Sequence, residues 1–537
     1  MSLHLGKILI ASLLNQGVGY AVVSPGSRNA PLLEAMADSE LKLLPIIDER
    51  QAAFIALGIA RRTRRPVALC CTSGSALLNY APALSEAFYS GVPLIVISAD
   101  RPAGQAGQNV GQTIRQPGSL ESVVKTCLIV DFIVVNQSDA NLYGERIYKT
   151  IGMAIDGFAG PVHINIHLPE PSTIHEIPAA ESRDFTPLAS LPNEINKEET
   201  VDLSPYRKVA VFVGPNPSDP TTMRFLSFLA AKPGVAVLGE SASNLPSSES
   251  IVTNIESSLS RADSAVIANL APDLLITLGG TPTSPSWRKM ISETDRLTHW
   301  DVSLSDDPRD TYGKLIRRFR VAPADFFEAL TISNIDYRGD GEYSHGWIEL
   351  SKKAYREIRP DTWEATNIVN QLLEKLEGDC NLHLSNGLSL RYANCSKYSR
   401  KFREVFANRG VSGIEGSVST AMGCALADSD RPTVLICGDM SAFYDLSAFF
   451  SPYFSQSGLK TIILNNAGGD IFRKIPSTRR SPIVENVLCC AEQMPDWPRM
   501  LASTDIEILS ANDYASLESA VDSMNRSNKA MILIINL

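Results

Sequence analysis

Short apolar runs bounded by Gly, Pro, Asn or Asp recur along this chain, separated by stretches with helical spacing. In the first third they are Tyr20 to Ser24, Val67 to Thr72, Leu94 to Ser98 and Val162 to Ile166. Each has the length of a strand, and apolarity without polar alternation suits a parallel strand buried on both faces. Strands alternating with helical patterns predict parallel sheets wrapped by helices. From Glu170 to Thr200 the chain becomes rich in Pro, Ser, Glu and Asn without sustained periodicity, which predicts an exposed connection. A second series follows: Lys208 to Gly214, Val235 to Gly239 and Leu274 to Gly280. A polar break at Arg338 to Glu342 and a helical segment from Trp347 to Ile358 lead into a third series, whose clearest strands are Thr433 to Cys437 and Leu459 to Leu464. The predicted fold class is α/β, with three consecutive domains built on parallel sheets and spanning 1–175, 200–335 and 355–537. A chain of 537 residues suits three domains of ordinary size.

In the third series both strands end in an oxygen ligand. Gly438-Asp439-Met440-Ser441 closes one run and Asn465-Asn466-Ala467-Gly468-Gly469 closes the next, with Asn466 27 positions after Asp439. The Asp439 carboxylate, the Asn466 amide oxygen and the Gly468 backbone carbonyl are hard donors suited to Mg²⁺. Between them, Asp445 to Tyr453 can start a crossover helix whose first amides favour phosphate. Gly, Asp and Asn also dominate plain strand-to-helix turns, and these residues alone support both readings equally.

Composition narrows the ligands. With 49 basic against 59 acidic residues the formal net charge is -10, which argues against a general nucleic-acid or anionic-membrane partner. An anionic ligand must therefore meet a local group of arginines. The nine cysteines are scattered without a Cys-x-x-Cys or other metal-ligand spacing, as expected of reduced, mostly buried thiols in a cytoplasmic protein. The apolar stretch Ile8 to Leu14 lacks the charged lead and cleavage site of a secretory signal, and no run approaches the roughly 18 apolar residues of a membrane span. His163, His167 and His175 lie near the end of the first series, the first two at alternating positions of a strand. They read as structural histidines, and no catalytic histidine is expected.

Further motifs stand in a fixed order: Ser24-Pro25-Gly26-Ser27-Arg28-Asn29, Asp48-Glu49-Arg50, Thr72-Ser73-Gly74-Ser75 and Ala99-Asp100-Arg101-Pro102. The third series adds Asn386-Gly387-Leu388-Ser389-Leu390-Arg391, Asn408-Arg409-Gly410, Ser412-Gly413-Ile414-Glu415-Gly416 and Gly468-Gly469-Asp470-Ile471-Phe472. Taken singly, each has an ordinary explanation. Pro-Gly makes a tight turn. Glu49 at a helix start gains up to about 1 kcal/mol from the helix dipole. An isolated arginine is commonly a solvated charge, and Ile414 a core residue.

Together with the Asp439 to Asn466 spacing, however, the motifs resemble the thiamine diphosphate-dependent enzymes, and within them the branch serving menaquinone biosynthesis. The resemblance spans the chain. It implies a thiamine diphosphate-binding fold with a pyrimidine-binding, a central and a diphosphate-binding domain. It also implies thiamine diphosphate with Mg²⁺ or Mn²⁺ as cofactors, and a homodimer or homotetramer with sites between subunits. Asp439, Asn466 and Gly468 would hold the metal. Gly438, Met440, Ser441, Ser412, Ile414, Ile471 and Phe472 would line the cofactor, with Ile414 as the wedge that bends it. Glu49 would be the catalytic carboxyl that shares a proton with the aminopyrimidine, and it is expected to be desolvated with a raised pKa.

The substrates implied are 2-oxoglutarate and isochorismate, both dicarboxylates. Arginine forks suit carboxylates, so Arg28, Arg101, Arg391 and Arg409, with Ser27 and Gln112, are the expected substrate contacts. Met440 replaces the commoner glycine of the wider family and resembles one branch in which that position is a larger apolar residue. Gly387 and Gly111 stand where Ser and Asn are frequent, each losing a substrate hydrogen bond, and Glu415 replaces a frequent Asp. A pyruvate-using decarboxylase or acetolactate-type synthase on the same fold is the alternative, and it would need fewer arginines. A non-catalytic nucleotide-binding or regulatory α/β protein is a further alternative.

Overall fold

The computed structural model describes residues 3–106, 108–131, 133–134, 137–168, 201–215, 219–307, 309–356, 362–396 and 402–537. The connection expected at 170–200, His175 and the helix end expected at Ile358 lie outside the described residues. The chain divides into two compact units: Met1–Leu191 with Gly410–Asp430 and Tyr444–Leu459, and Pro192–Arg409 with Arg431–Phe443 and Lys460–Leu537.

Three six-stranded sheets carry the fold, and every neighbouring pair within them is parallel. The first contains β1 (Tyr20–Val23), β2 (Lys42–Pro45), β3 (Val67–Cys71), β4 (Leu94–Asp100), β5 (Cys127–Asp131) and β6 (Val162–His167), in the order β2-β1-β3-β4-β6-β5. The second contains β7 (Val209–Val213), β8 (Val235–Gly239), β9 (Ile251–Val252), β10 (Leu274–Leu278), β11 (Thr298–Val302) and β12 (Leu315–Phe319), in the order β9-β8-β7-β10-β11-β12. The third contains β13 (Asn381–Leu384), β14 (Glu404–Phe406), β15 (Thr433–Gly438), β16 (Lys460–Asn465), β17 (Glu507–Ala511) and β18 (Met531–Asn536), in the order β14-β13-β15-β16-β18-β17. The first and third sheets thus share one topology. The apolar runs became strands for the expected reason: in β7, Val209, Val211 and Val213 enter one core while Ala210 and Phe212 enter another.

Four helices position the functional residues: α1 (Glu49–Thr63), α2 (Leu388–Cys395), α3 (Ser417–Ala427) and α4 (Asp439–Tyr444). Asp48 caps α1, its Oδ1 accepting the amides of Arg50 (2.9 Å) and Gln51 (3.2 Å). Within the first unit α1 and α3 meet backbone to backbone. A Cβ on Gly58 would collide with the Thr420 carbonyl, one on Gly423 with the Ile55 carbonyl, and one on Gly416 with the Phe54 ring. The pairs Phe54/Gly416, Gly58/Thr420 and Arg62/Asp428 advance together, so the two helices run in the same sense and both N-termini lie at one end.

The crossover after β15 departs from expectation. No α-helix starts at Asp445, which precedes only a 3-10 helix. The helix starts at Asp439 and ends at Tyr444, a single 3-10 turn covers Leu446–Phe450, and a second helix, Pro452–Ser457, begins under a Ser451 cap. Asp445 does not cap because its carboxylate is spent elsewhere: it accepts the N–H (2.7 Å) and O–H (2.8 Å) of Ser419 on α3. The helix around Trp347 spans Gly341–Arg356 and so begins inside the expected polar break. No described helix is long and apolar enough to cross a membrane.

Candidate active site

In the first sheet the strand order reverses between β1 and β3. The crevice outside the carboxyl ends at such a switch point is where open α/β sheets take ligands. The turn after β1 is closed by Asn29, whose Oδ1 accepts the Gly26 N–H (2.9 Å) and whose Nδ2 donates to the Ser24 carbonyl (3.0 Å). Ser27 is exposed at its tip, whereas Arg28 is 4% exposed and donates from Nη1 to the Leu168 carbonyl (3.2 Å). The loop after β3 interlocks with residues 111–116. Ser73 Oγ donates to the Gln112 carbonyl (3.0 Å) and Gln112 Nε2 donates back to the Ser73 carbonyl (3.3 Å). Arg101, directly after β4, donates from Nη2 to the Gly111 carbonyl (2.8 Å). Gln112 holds φ at 56°, a left-handed conformation rare for residues other than glycine and concentrated at functional sites.

Glu49 opens α1 near the same strand ends. Its expected burial is not found: the residue is half-buried, with Asn79 Nδ2 donating to Oε2 at 3.3 Å. The cause is its place at the first turn, which the chain leaves partly open to solvent. Neighbouring groups hold their protons. Burial pushes the Cys71 thiol and the Tyr80 phenol well up, and the Glu49 charge adds to both shifts. The segment leading into α3 is pinned by the buried carboxylate of Glu86, which accepts the amides of Gly410 and Val411 (2.8 Å each) and pairs with Arg61 (2.5 Å). There Ser412 is left-handed at φ 65° and Ile414 keeps a partly exposed apolar side chain. Because α1 and α3 run in the same sense, Glu49 and the Ser412–Gly416 segment lie at the same end of the seam.

The second unit gathers the remaining candidates at the ends of β13, β15 and β16. Asp439 is 1% exposed, and its carboxylate accepts the amides of Met440 (2.7 Å) and Gly468 (2.8 Å). Burial pushes this carboxyl above the usual range, while the Gly468, Met440 and Asn466 amides and the Arg473 charge oppose the rise. Asn466 Oδ1 is buried and has no hydrogen-bond partner among the described residues. A buried amide oxygen without a partner is costly unless something else completes it. A hard cation would do so. Among the described residues no three His, Cys, Asp or Glu side chains cluster as a metal cage. One carboxylate, one amide oxygen and the Gly468 carbonyl match the sparse protein donor set of Mg²⁺ that also binds phosphate oxygens.

Ser441 is buried just after Asp439, and Gly438, Met440, Ile471 and Phe472 are partly exposed beside this turn. Arg409 donates from Nη1 to Asn386 Oδ1 (3.1 Å), and Arg391 lies one turn into α2. Gly387, before α2, holds φ at 88°, so its backbone suits glycine, whereas a Cβ at Gly111 would meet open space.

Comparison with known proteins accords with these two groups. Residues 3–119 match the family described as "Thiamine pyrophosphate enzyme, N-terminal TPP binding domain" and residues 387–535 match "Thiamine pyrophosphate enzyme, C-terminal TPP binding domain". A protein of Flavobacterium johnsoniae named 2-succinyl-5-enolpyruvyl-6-hydroxy-3-cyclohexene-1-carboxylate synthase is 34% identical over 98% of this chain and 94% of its own length. The chain belongs to this synthase family. Its relatives of the same name include proteins of Bacteroides fragilis, 34% identical over 88% of this chain and 84% of theirs, and of Desulfotalea psychrophila, 34% identical over 87% and 86%. As a member of the synthase family the chain is a thiamine diphosphate-dependent enzyme catalysing a decarboxylating carboligation.

Several residues that hold the synthase's loops were not singled out from sequence. Arg473 donates from Nη1 to the Asn466 carbonyl (2.9 Å) and from Nη2 to that of Ala467 (3.1 Å) while Glu485 grips its other edge (2.7 Å), bracing the turn that carries Asn466. Glu86 and Asp445 act likewise on the N-terminal side of α3, Glu86 through the amides of Gly410 and Val411 and Asp445 through Ser419. A signal for Glu86 existed: it is a carboxylate among the apolar residues of the helix Ala81–Ser90.

Proposed function

We propose that this enzyme decarboxylates 2-oxoglutarate and transfers the resulting succinyl unit to isochorismate, giving 2-succinyl-5-enolpyruvyl-6-hydroxy-3-cyclohexene-1-carboxylate and CO₂ in menaquinone biosynthesis. The observation that carries the choice of substrates is the set of four arginines, Arg28, Arg101 and Arg409 in loops after strands and Arg391 in the first turn of α2, in a chain related end to end to synthases of that name. One monocarboxylate would not need four guanidinium groups, and two dicarboxylic acids do. Ser27 and Gln112 add neutral hydrogen bonds to the same acids.

Bound thiamine diphosphate supplies the electron sink for carbon–carbon bond cleavage and formation. The chain's own residues bind, orient and move protons. Asp439, Asn466 and Gly468 would hold Mg²⁺, or Mn²⁺ in its place. Gly438, Met440 and Ser441 line the same turn, and Ile471 and Phe472 present apolar surface. Ile414 would support the cofactor, and the Ser412 carbonyl would accept a hydrogen bond from it. Glu49 would be the carboxyl that holds and releases the proton which the aminopyrimidine chemistry needs. With Glu49 and Asp439 at opposite ends of one cofactor, as the family resemblance implies, each site would lie between two subunits. The assembly is a homodimer, or a homotetramer built from it, in the cytoplasm. Its domains are a pyrimidine-binding domain at 1–175, a central domain at 200–335 and a diphosphate-binding domain at 355–537.

The deciding experiment incubates purified protein, thiamine diphosphate and Mg²⁺ with 2-oxoglutarate and isochorismate, measures CO₂ and identifies the product by mass. Turnover of pyruvate alone would reassign the enzyme to the acetolactate or decarboxylase group.

A further inference from the structure

Behind the loops of the first sheet lies a chain of buried polar side chains with no part in the proton exchange or carboxylate binding proposed above. Gln116 is fully buried and bonded at both ends of its amide. Its Oε1 accepts the Gly74 N–H (2.8 Å), and its Nε2 donates toward Asn165 Oδ1 (2.9 Å), the Ala99 carbonyl (3.1 Å) and Ser98 Oγ (3.3 Å). Asn165 Nδ2 donates to Asp100 Oδ2 (2.9 Å), and Asp100 Oδ1 accepts the Arg101 N–H (2.7 Å).

Ser98 gives its proton to Asn165 Oδ1 (2.8 Å), so His163 Nε2, 2.7 Å from Ser98 Oγ, is the donor of that pair. His163 Nδ1 is then the acceptor for the Cys127 thiol at 3.4 Å. Burial pushes His163 down to about 4, which keeps the ring neutral and this arrangement fixed near neutral pH. The linked donors from Cys127 through His163, Ser98 and Asn165 point along one series that ends on the Asp100 carboxylate. Gln112 and Gln116 meanwhile grip the same loop at adjacent positions, Ser73 and Gly74.

We propose that Gln116 is a positioning residue for the substrate site. With Asn165 it tethers the Thr72–Ser75 loop to the ends of β4 and β6, holding Gln112 in its left-handed conformation and Arg101 against Gly111. The role rests on the reading of Gln112 and Arg101 as substrate contacts. A loosened tether lets both groups wander, weakening capture of the acids more than the chemistry that follows.

The test uses the full-length protein with thiamine diphosphate and Mg²⁺. Gln116→Met keeps the volume and removes the four hydrogen bonds. The expected result is a KM for at least one of the two acids raised about tenfold with kcat within about threefold, together with hydrogen exchange faster by about tenfold in 72–75 and 110–116 and unchanged in β4 and β6. Unaltered exchange in both loops, or a fall in kcat with KM unchanged, overturns the proposal. The wild-type protein gives an independent arm should the variant not fold. The Gly74 amide is expected to be protected about 100-fold or more over an unstructured peptide, and exchange at the peptide rate overturns the tether. Were the wild type to turn over neither acid, the functional reading would fail while the exchange measurements still decided whether the tether exists.

Discussion

At Glu49 the carboxyl is half-buried, held by Asn79 on one side and open on the other. Removing its charge therefore disturbs little of the folded chain. Glu49→Gln is expected to lower kcat by about 10²- to 10⁴-fold while the unfolding free energy changes by less than about 0.5 kcal/mol, checked by steady-state kinetics beside equilibrium unfolding. Asn466 offers the opposite contrast. Its Oδ1 is already buried without a partner, so Asn466→Ala gives up no hydrogen bond from that atom. Stability should stay level or rise slightly, whereas calorimetric affinity for thiamine diphosphate in Mg²⁺ should fall about tenfold or more. Residues such as these could be named from sequence because the chemistry expected of them is written in residue type and spacing. Arg473 was not, since its work is done on the backbone carbonyls of Asn466 and Ala467, which no side-chain pattern reveals.

The seam between α1 and α3 turns on two glycines that face carbonyl oxygens. In an isolated helix Gly58→Ala would gain about 1 kcal/mol of propensity. Here the added methyl meets the Thr420 carbonyl, and overpacking of that kind costs about 1–3 kcal/mol or more. Gly58→Ala and Gly423→Ala are each expected to lower the unfolding midpoint, with lost cofactor binding following from lost folding. Asp445 ties α3 from below. Burial pushes its carboxyl from the ordinary 3.8 up to about 6. A group that holds its proton more tightly when folded stabilises fully below 3.8, and that contribution is lost as pH rises through about 6. Asp445→Asn can keep both Ser419 contacts and removes this slope. The variant's stability relative to wild type should improve between pH 4.5 and 7.5 by about 1–3 kcal/mol, read from urea midpoints at the two pH values. The same aspartate explains the misplaced crossover helix. An Asp before an apolar run has the form of a cap, and only the fold discloses that Ser419, 26 residues away, has claimed the carboxylate.

The nine apolar runs named from sequence disclosed strand positions to within one or two residues, because each run is bounded by residues that end strands, while the other nine strands of the three sheets were not named. They did not disclose that the first and third sheets share one strand order, since the same topology is written in unlike sequences. The central sheet, with its order β9-β8-β7-β10-β11-β12, stands apart from both. The assembly proposed above is checked by mass. Light scattering at micromolar concentration should return at least twice the 58.3 kDa chain mass. Full activity in a species of single-chain mass would refute the assembly. The glycine seam bears on how such an enzyme diversifies. With peptide planes in direct contact there is no pocket to widen or refill, so compensating exchanges are closed off at Gly58 and Gly423 while the solvent-facing flanks of both helices remain free to vary. A saturation library at these two codons should return glycine almost alone, marking the hinge of the lineage's tolerance well away from any reacting atom.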